Sequence, residues 1–444
     1  MKLAEMHNWL RYQACRKDHV GELARVVFFQ EKAKSLAEVE GVLRRLRANI
    51  RWGISVSAAC RQYQDFLDEM RQTGHSASMP VRLATDSFEF NLEESVRFHE
   101  ENVNMTPWQY VHLLHERIRQ SVAGKSLIYL DTNYWIGLRK AIFEGADTGG
   151  FSEMYTELKR LRSASKIICV SSCPLYMEVN KQSDDTSRRR TAELIDELSD
   201  NICLVSHVEG MKLELKDFLF KRFAGASADN RFRRYLTRPS WIINGVHLES
   251  LKRYPGMQAK LAIDLQSVLR FSDVAEFRMP FYAESESFEW ARALKEDGAV
   301  WLSQGLKFDD IKKRLLGCFT YNHRLNLKSI GESMADEAPE LLSMQAAGEQ
   351  AQQMYDVKEM PHVQVLAHAF AALIENRRAE YILPNDIIDM EHATMALPIC
   401  DVLFLDQGGA RMMNYGRNSI CQKHGKVALG SVQDAVTHLR ALSS

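Results

Sequence analysis

Acidic side chains follow the short apolar runs of this sequence at several places. Asp131 and Asp406 each come directly after such a run, and Glu178 lies about one turn into a helical pattern after another run. A fourth acidic group occupies residues 385–392. Clustered carboxylates repel each other unless their charge is compensated, and Mg²⁺ or Mn²⁺ supplies that compensation. Because such cations orient a water and stabilise the leaving oxygen of a phosphodiester, these positions predict metal-dependent phosphate-ester hydrolysis.

The apolar runs predict the strands that must position these acids. They occupy residues 126–130, 166–171, 202–206, 402–405 and 426–429. Helical patterns separate them, for example at residues 151–162 and 187–198. Short apolar strands that alternate with helices predict an α/β fold with a parallel sheet covered on both faces. Ligands bind beyond the carboxyl ends of such strands, so the acids are expected at one edge of the sheet.

Helix capping is the alternative interpretation of the same acids. An Asp at the end of a strand is most often the N-cap of the following helix, where its side chain accepts a backbone N–H. Ser172 or Cys173 suits the cap of the helix that carries Glu178, and Pro174 suits its first turn. One such acid would carry little functional information. Because acids occur at four such positions, a metal site and helix capping explain the pattern equally well.

The ordered set of acids resembles the PIN-domain nuclease family. That family has an apolar strand that ends in Asp-Thr-Asn, here residues 131–133, and then a Glu on a helix after the second strand, here Glu178. A third acid opens a helix and a fourth follows the next strand. Asp389 and Asp406 match these two best, and their separation fits one helix plus one strand.

This resemblance implies a three-layer α/β/α fold and Mg²⁺- or Mn²⁺-dependent cleavage of RNA, usually single-stranded. The catalytic and metal-binding carboxylates that it implies are Asp131, Glu178, Asp389 and Asp406. Asp386 and Asp401 are extra acids that could replace or support these, so the third acid stays open between Asp386 and Asp389. Leu405 stands where the family often has Thr or Ser, which removes one hydroxyl from the expected site.

Two polar residues beside the acids are candidate contacts to the substrate. Asn133 could hydrogen-bond Asp131 or the scissile phosphate, and capping the next helix is its alternative role. His392 follows Asp389 by three residues, so the two side chains share a helix face. The imidazole could bind phosphate or a metal, or it could orient a carboxylate. A hydrogen-bonded structural histidine is the equal alternative.

Basic residues at two places are candidates for phosphate binding. Arg188 and Arg189 open a predicted helix, where cations oppose the helix dipole. Arg233 and Arg234 belong to the basic stretch 216–238, which also carries aromatic side chains. Phosphate pairing combined with base stacking would use this mixture of residues. A solvated helix face over buried aromatic residues would give the same pattern.

The length of 444 residues predicts two or three domains. Residues 5–72 resemble the small helical YozE/SAM-like module, in the segments 7–13, 18–24 and 63–66. That resemblance implies a helical bundle for docking a protein partner or for self-association. The predicted domains are a SAM-like module at 1–75, a helical linker region at 76–124, a PIN-like nuclease domain at 125–207 and 380–444, and a helical insertion at 208–379.

The composition restricts the class of protein. The net charge of −1 excludes nucleic-acid binding by overall charge, so local basic patches must hold any such partner. The eight cysteines are irregularly spaced, which is typical of reduced, buried thiols rather than a zinc site. No apolar run is long enough for a membrane span, and no signal-peptide pattern opens the chain. We therefore expect a cytoplasmic endoribonuclease. A DNA-directed nuclease and a non-catalytic platform for nucleic acid or protein are the alternatives.

Overall fold

Two compact units divide the chain, Met1–Asn102 and Val103–Ser444. The computed structural model describes residues 92–147, 149–219, 221–222, 235–243, 256–275, 283–337, 348, 350, 352, 357, 360–377, 381–416 and 419–442. In the first unit this covers helix α1 (Leu92–Glu101) and Asn102. The predicted SAM-like module, residues 76–91 of the predicted linker, Arg233 and Arg234 lie outside the described residues.

A small parallel sheet organises the second unit. The described strands are β1 (Ser126–Leu130), β2 (Ile167–Val170), β3 (Cys203–Leu204), β4 (Leu236–Thr237), β5 (Val402–Phe404) and β6 (Val427–Leu429). Four of them form one sheet in the order β2-β1-β5-β6, with every pair parallel. The predicted α/β fold with a parallel sheet is confirmed at this level. β1 lies at the centre because both of its neighbours pair with it directly.

The third predicted strand, β3, is not part of the four-stranded sheet. β3 pairs antiparallel with β4, and the two strands form a separate small sheet. A single parallel bridge between Ser171 and Cys203 connects β3 to the end of β2. The backbone N–H of Val205 donates to the carbonyl of Tyr235 (3.0 Å), which continues the antiparallel pairing. The apolar run 202–206 contains a strand, as predicted, but the strand that pairs with it, β4, belongs to the predicted insertion.

Helices surround the sheet and make up most of the described chain. In the second unit, the first of them are α2 (Pro107–Val122), α3 (Thr132–Phe143), α4 (Phe151–Ser163), α5 (Cys173–Lys181), α6 (Asp185–Ser199), α7 (His207–Leu219), α8 (Pro239–Ile243), α9 (Gly256–Ser267) and α10 (Phe271–Ala275). They are followed by α11 (Ala283–Ser303), α12 (Phe308–Glu337), α13 (Pro361–Arg377), α14 (Pro384–Ala396), α15 (Gln407–Met413), α16 (Ile420–His424) and α17 (Val432–Ala441). Each described helix is too short or too polar to cross a membrane.

One face of the sheet packs into a continuous apolar core. Side chains alternate along a strand, so Ile128 and Leu130 point to one face and Tyr129 to the other. The core on the first face includes residues of α3, α4, α6 and α17. Trp135 is fully buried in it and donates its indole N–H to the carbonyl of Leu130 (3.0 Å). Burial of such a side chain contributes about 1.5–3 kcal/mol, so this core holds β1 in a fixed position.

Helix α13 lies at the end of the predicted insertion, yet it belongs to the interior. Residues 362–374 are buried without interruption, so no face of this helix reaches solvent. Neighbours of α13 include α12 from the insertion and α14 and α15 from the predicted nuclease domain. A helix that is apolar all round is stable only when it is surrounded. Helix α13 therefore packs against helices that lie on both sides of the boundary predicted at residue 380.

Candidate metal centre

Three side chains from distant parts of the sequence meet at the carboxyl edge of the sheet. Asp131, Glu178 and His392 each offer one ligand atom, and these atoms all lie within 4.8 Å of one another. Asp131 is 9% exposed and His392 is 1% exposed. Two of the predicted acids and the predicted histidine are thus brought together in a largely buried cluster.

Asp131 is held by the strand before it and the helix after it. Its backbone N–H donates to the carbonyl of Phe404 on β5 (2.8 Å). Its side chain caps α3 by accepting from the backbone N–H of Thr132 (2.7 Å). Asp406 has the equivalent position after β5, where it caps α15 and accepts from the backbone N–H of Gly409. Asp131 and Asp406 each cap a helix and also lie at the carboxyl edge of the sheet, so helix capping and a place at the site are compatible.

Glu178 reaches the cluster from α5. Ser172 caps this helix by accepting from the backbone N–H of Leu175 (3.2 Å), as one of the two predicted caps. The Glu178 carboxylate accepts a hydrogen bond from the hydroxyl of Thr132. Its Oε2 atom also lies 3.1 Å from Nε2 of His392. A hydroxyl from Thr132 thus contacts the carboxylate, although Leu405 provides none.

His392 is oriented by a buried tyrosine that the sequence reasoning missed. The hydroxyl of Tyr129 hydrogen-bonds Nδ1 of His392 and lies 2.8 Å from the hydroxyl of Ser172. Tyr129 itself is fully buried. The available signal was a tyrosine inside a strand that is otherwise aliphatic, because a buried tyrosine hydroxyl needs a hydrogen-bond partner.

The charges of the cluster compensate each other in part. Burial alone would raise the pKa of Glu178, but hydrogen bonds from His392 and Thr132 outweigh burial and lower it. Burial alone would lower the pKa of His392, but its hydrogen bond to Glu178 and the nearby carboxylates raise it. Burial raises the pKa of Asp131, Glu178 adds to this effect, and His392 opposes it. Glu178 and His392 therefore each favour the charged form of the other.

Asp389 and Asp406 lie at the rim of the cluster. Both are exposed, and neither belongs to the close group of three ligand atoms. Although Asp389 is exposed, nearby protein atoms displace part of the water around its carboxyl group. This desolvation and the negative charge of Asp131 raise the pKa of Asp389 to about 7. Glu178 and Asp406 raise the pKa of Asp389 further. The other three predicted acids, Asp131, Glu178 and Asp406, therefore all influence the pKa of Asp389.

The two extra acids lie apart from this cluster. Asp386 is buried at the start of α14, where its carboxylate accepts from the backbone N–H of Leu383 (2.7 Å). Asp401 precedes β5 and lies at the opposite, amino edge of the sheet. It accepts from the backbone N–H of Leu127 (3.0 Å) and from Lys426 (3.2 Å). Of the two candidates for the third acid, Asp389 is the one whose pKa the charge of Asp131 raises.

The predicted substrate contacts differ in their surroundings. Asn133 is exposed, and its amide donates a long hydrogen bond to Asp131 (3.4 Å). Arg188 is engaged with the carbonyl of Gln182 and with Asp185, so its guanidinium has a structural role. Arg189 is exposed on α6. Lys181, which sequence reasoning did not select, is exposed and its charge lowers the pKa of Glu178.

The chemistry of this donor set fits a divalent cation. Carboxylate oxygens suit Mg²⁺ and Mn²⁺, and one imidazole nitrogen favours the transition metal of the two. The Nε2 atom of His392 can hold Glu178 or bind a cation, but it cannot do both at once. A cation bound between the carboxylates would compensate their negative charge. The positive charge of a proton on His392 would then no longer be needed.

Comparisons with known proteins give no relative. No protein-family model matches the chain, and neither the curated proteins nor the solved structures contain a significant match. The resemblance to PIN-domain nucleases therefore depends on the residues themselves.

Proposed function

We propose that this protein is a cytoplasmic, metal-dependent endoribonuclease of the PIN-domain kind. The proposal includes the three-layer α/β/α arrangement and cleavage of single-stranded RNA that the resemblance implies. One observation carries it: ligand atoms of Asp131, Glu178 and His392 lie within 4.8 Å of one another at the carboxyl edge of a parallel sheet. This is the edge where α/β proteins bind ligands.

Each side chain has a part in the proposed reaction. Asp131 and Glu178 would hold Mg²⁺ or Mn²⁺, and Asp389 and Asp406 would complete the negative field at the rim. When bound, the cation supplies positive charge that activates a water and stabilises the leaving oxygen. Asn133 keeps Asp131 in position through its amide. Hydrolysis by water requires no covalent intermediate with the protein.

Exposed cations near Glu178 and on the following helix suit a polyanionic substrate. Lys181 and Glu178 lie on the same helix three residues apart, and Arg189 follows on the next helix. Such side chains pair with phosphates and carry no base specificity. We propose that they guide a nucleic-acid backbone towards the carboxylates, with RNA favoured over DNA.

The direct test is cleavage of labelled oligonucleotides by the full-length protein. We expect Mn²⁺ or Mg²⁺ to support cleavage of single-stranded RNA and EDTA to abolish it. Asp131→Asn should reduce the rate by at least about 100-fold, since several kcal/mol of charge stabilisation are lost. Asparagine is also a good N-cap, so α3 should persist in this variant.

Asp401→Asn is the matched control, because it makes the same substitution at the opposite edge of the sheet. Its cleavage rate should equal that of the wild type. Undiminished cleavage by Asp131→Asn would refute the site. Preference for a DNA of the same sequence would identify a DNA-directed nuclease. Absence of both cleavage and Mn²⁺ binding by calorimetry would leave a non-catalytic binding platform.

A further inference from the structure

Two lysines from different helices converge on the buried helix α13. The Nζ atom of Lys312, on α12, lies 3.3 Å from Nδ1 of His368. The Nζ atom of Lys423, on α16, donates to Oε1 of Gln364 (2.8 Å). Gln364 and His368 are four residues apart on α13, so their side chains are neighbours on one face of that helix. The two ammonium groups, here called the lysine pair, are therefore held side by side.

The two anchors on α13 are buried acceptors without charge. Gln364 is 4% exposed and His368 is fully buried. Burial and the charge of Lys312 lower the pKa of His368 to about 4, so its ring is neutral at physiological pH. Its Nε2 atom lies 3.2 Å from the carbonyl of Met412, which makes Nε2 the protonated nitrogen and Nδ1 the acceptor. Each lysine therefore uses one N–H donor on α13, and neither anchor neutralises its charge.

Neighbouring elements fix the positions of both lysines. The ammonium group of Lys312 lies 5.6 Å from the ring centroid of Phe308, and this ring packs edge-on against His368 at 4.9 Å. A cation is attracted to the face of such a ring. Lys423 belongs to the short helix α16, which Ser419 caps, and its side chain is exposed. A site whose side chains are already in place loses less entropy when a ligand binds.

The positive charge of the lysine pair is not compensated by a direct contact. Neither Lys312 nor Lys423 forms an ion pair with a carboxylate in the described part of the chain. Burial lowers the pKa of both amines, and the charge of Lys423 lowers the pKa of Lys312 further. Two like charges held together at a partly desolvated place are unfavourable. An anion bound between them would remove this repulsion.

The nearby carboxylates do not take the place of such an anion. Asp309 is exposed one turn before Lys312 on α12, and it is the one acid whose charge raises the pKa of Lys312. Asp401 pairs with Lys426 (3.2 Å), and Glu375 accepts from the hydroxyl of a tyrosine (2.9 Å). One exposed carboxylate against two ammonium groups leaves a net positive charge.

Two further acids, both on α7, have other neighbours. Glu214 accepts from the backbone N–H and from Nδ1 of His362. Asp217 lines a cavity together with Lys221 and Lys426, so its charge faces different lysines. The net positive charge at the lysine pair therefore persists when the acids of α7 are counted.

We propose that the lysine pair binds a phosphate group, either as the free ion or as a phosphate monoester. A phosphate monoester carries a charge of about −1.5 to −2 and three strong acceptor oxygens at neutral pH. Neighbouring side chains four residues apart on a helix begin about 5–6 Å from each other, and a charge-assisted N–H···O bond spans about 2.7–2.9 Å. One phosphate between the ammonium groups can therefore accept from both.

This site is separate from the candidate metal centre. His368 contacts the carbonyl of Met412 near the end of α15, whereas Asp406 caps the start of the same helix. The inference is independent of the proposed nuclease activity.

Calorimetric titration of the full-length protein with inorganic phosphate, at pH 8 and constant ionic strength, tests the proposal. EDTA is present throughout, so that no cation can hold phosphate at the carboxylate cluster. We expect phosphate to bind and sulfate, which has a similar shape and charge, to compete with it. Acetate, with a single charge and two oxygens, should bind at least about 10-fold more weakly.

A dinucleotide with a 5′-phosphate distinguishes the two sources of the ligand. Tighter binding of this dinucleotide than of inorganic phosphate would identify a monoester as the ligand, and weaker binding would identify the free ion. The same dinucleotide without its 5′-phosphate should not compete with phosphate.

Lys312→Gln and Lys423→Gln are the informative variants, since each removes one charge and retains an N–H donor. Either change should lower the affinity for phosphate at least about 10-fold. Phosphate should raise the melting temperature of the wild type and have little effect on either variant. Lys313→Gln makes the same change at the next position, on the exposed surface of α12, and should bind phosphate like the wild type. If Lys312→Gln does not fold, the exposed Lys423 still provides the test.

Three results would overturn the proposal: no heat with either inorganic phosphate or the phosphorylated dinucleotide, unchanged affinity in the folded variants of the lysine pair, or an equal loss in Lys313→Gln. Asp131→Asn separates the two sites, since it should bind phosphate normally in EDTA even if it has lost cleavage. Loss of phosphate binding in Asp131→Asn would place the anion at the carboxylate cluster and exclude the lysine pair.

Discussion

The hydroxyl of Tyr129 and Nδ1 of His392 are hydrogen-bonded partners, although they are 263 positions apart in the sequence. This contact joins the central strand β1 to helix α14. It fixes the orientation of the imidazole whose other nitrogen faces Glu178. Partners of this kind set the tautomer and basicity of a histidine ligand.

Removal of the Tyr129 hydroxyl should weaken the metal centre. We expect Tyr129→Phe to lower Mn²⁺ affinity or cleavage by about 10- to 100-fold, because His392 loses its orienting partner. Calorimetry with Mn²⁺ and the cleavage assay measure both effects. Tyr134→Phe is a matched control, since the buried hydroxyl of Tyr134 has no hydrogen-bond partner among the described residues. Equal effects of the two substitutions would show that Tyr129 does not act through His392.

Neutralising Asp389 should stabilise the protein in the absence of metal. The pKa of Asp389 is about 7, above that of an Asp in an unfolded chain. Its ionisation therefore reduces stability as the pH rises from about 4 through about 7. In EDTA, Asp389→Asn should exceed the wild type in denaturant midpoint at pH 8, and this difference should shrink at pH 4.

Metal gives the second arm of the Asp389 experiment. Mn²⁺ should remove the stability advantage of Asp389→Asn at pH 8, because a cation compensates the carboxylate charge that destabilises the wild type. Asp309→Asn, on the exposed surface of α12, should show no such dependence on metal. An advantage of Asp389→Asn that stays constant with pH would contradict the electrostatic explanation.

Acid should destabilise the protein through His368 of α13. Burial and the charge of Lys312 lower the pKa of His368 to about 4. The ring contacts the carbonyl of Met412 through Nε2 (3.2 Å) and the amine of Lys312 through Nδ1 (3.3 Å), so the folded protein has no place for a second proton. The unfolded chain binds that proton more readily.

The resulting loss of stability should extend from about pH 6.5 down to about pH 4, because those are the unfolded and folded pKa values. The contribution of His368 is on the order of 3 kcal/mol. Urea denaturation of wild type and His368→Gln across this range measures it. A variant with the same pH slope as the wild type would rule out His368 as the cause.

Two glycines should respond in opposite ways to alanine. A Cβ at Gly210 of α7 would come within 2.7 Å of Nε2 of His362, which is fully surrounded. Gly210→Ala should therefore cost about 1–3 kcal/mol of unfolding free energy through overpacking. Gly317 lies on the exposed face of α12, where a Cβ meets nothing within 4 Å. Gly317→Ala should stabilise by up to about 1 kcal/mol, so thermal melts should shift in opposite directions.

The parallel strands and the positions of their acids could be predicted because both depend on local sequence. An apolar run followed by an acid specifies a strand and the cap of the next helix together, as at Asp131 and Asp406. Ser172 could be predicted as a cap for the same reason. The convergence of Glu178 and His392 followed from the order of the elements, since parallel strands place their carboxyl ends at one edge.

Other features depend on contacts that local patterns do not encode. Asp401 and Asp386 look equivalent to Asp389 in the sequence, but Asp401 pairs with Lys426 and Asp386 accepts from the backbone of Leu383. The hydrogen bond of Tyr129 requires knowledge of which helix covers its face of the sheet. Helix α13 was assigned to an insertion because its neighbours in the sequence are helical, whereas in space it packs against helices of the insertion and of the sheet domain alike.

The central position of β1 has a consequence for synthesis of the protein on the ribosome. β1 and β2 leave the ribosome early, but β5, the other neighbour of β1, follows only after the whole segment that contains α7 to α14 has been translated. Until then the inner edge of β1 has unpaired backbone groups, and such an edge invites pairing with other chains. The nascent chain therefore has an aggregation-prone interval, during which a bound chaperone would protect the edge that β5 later covers.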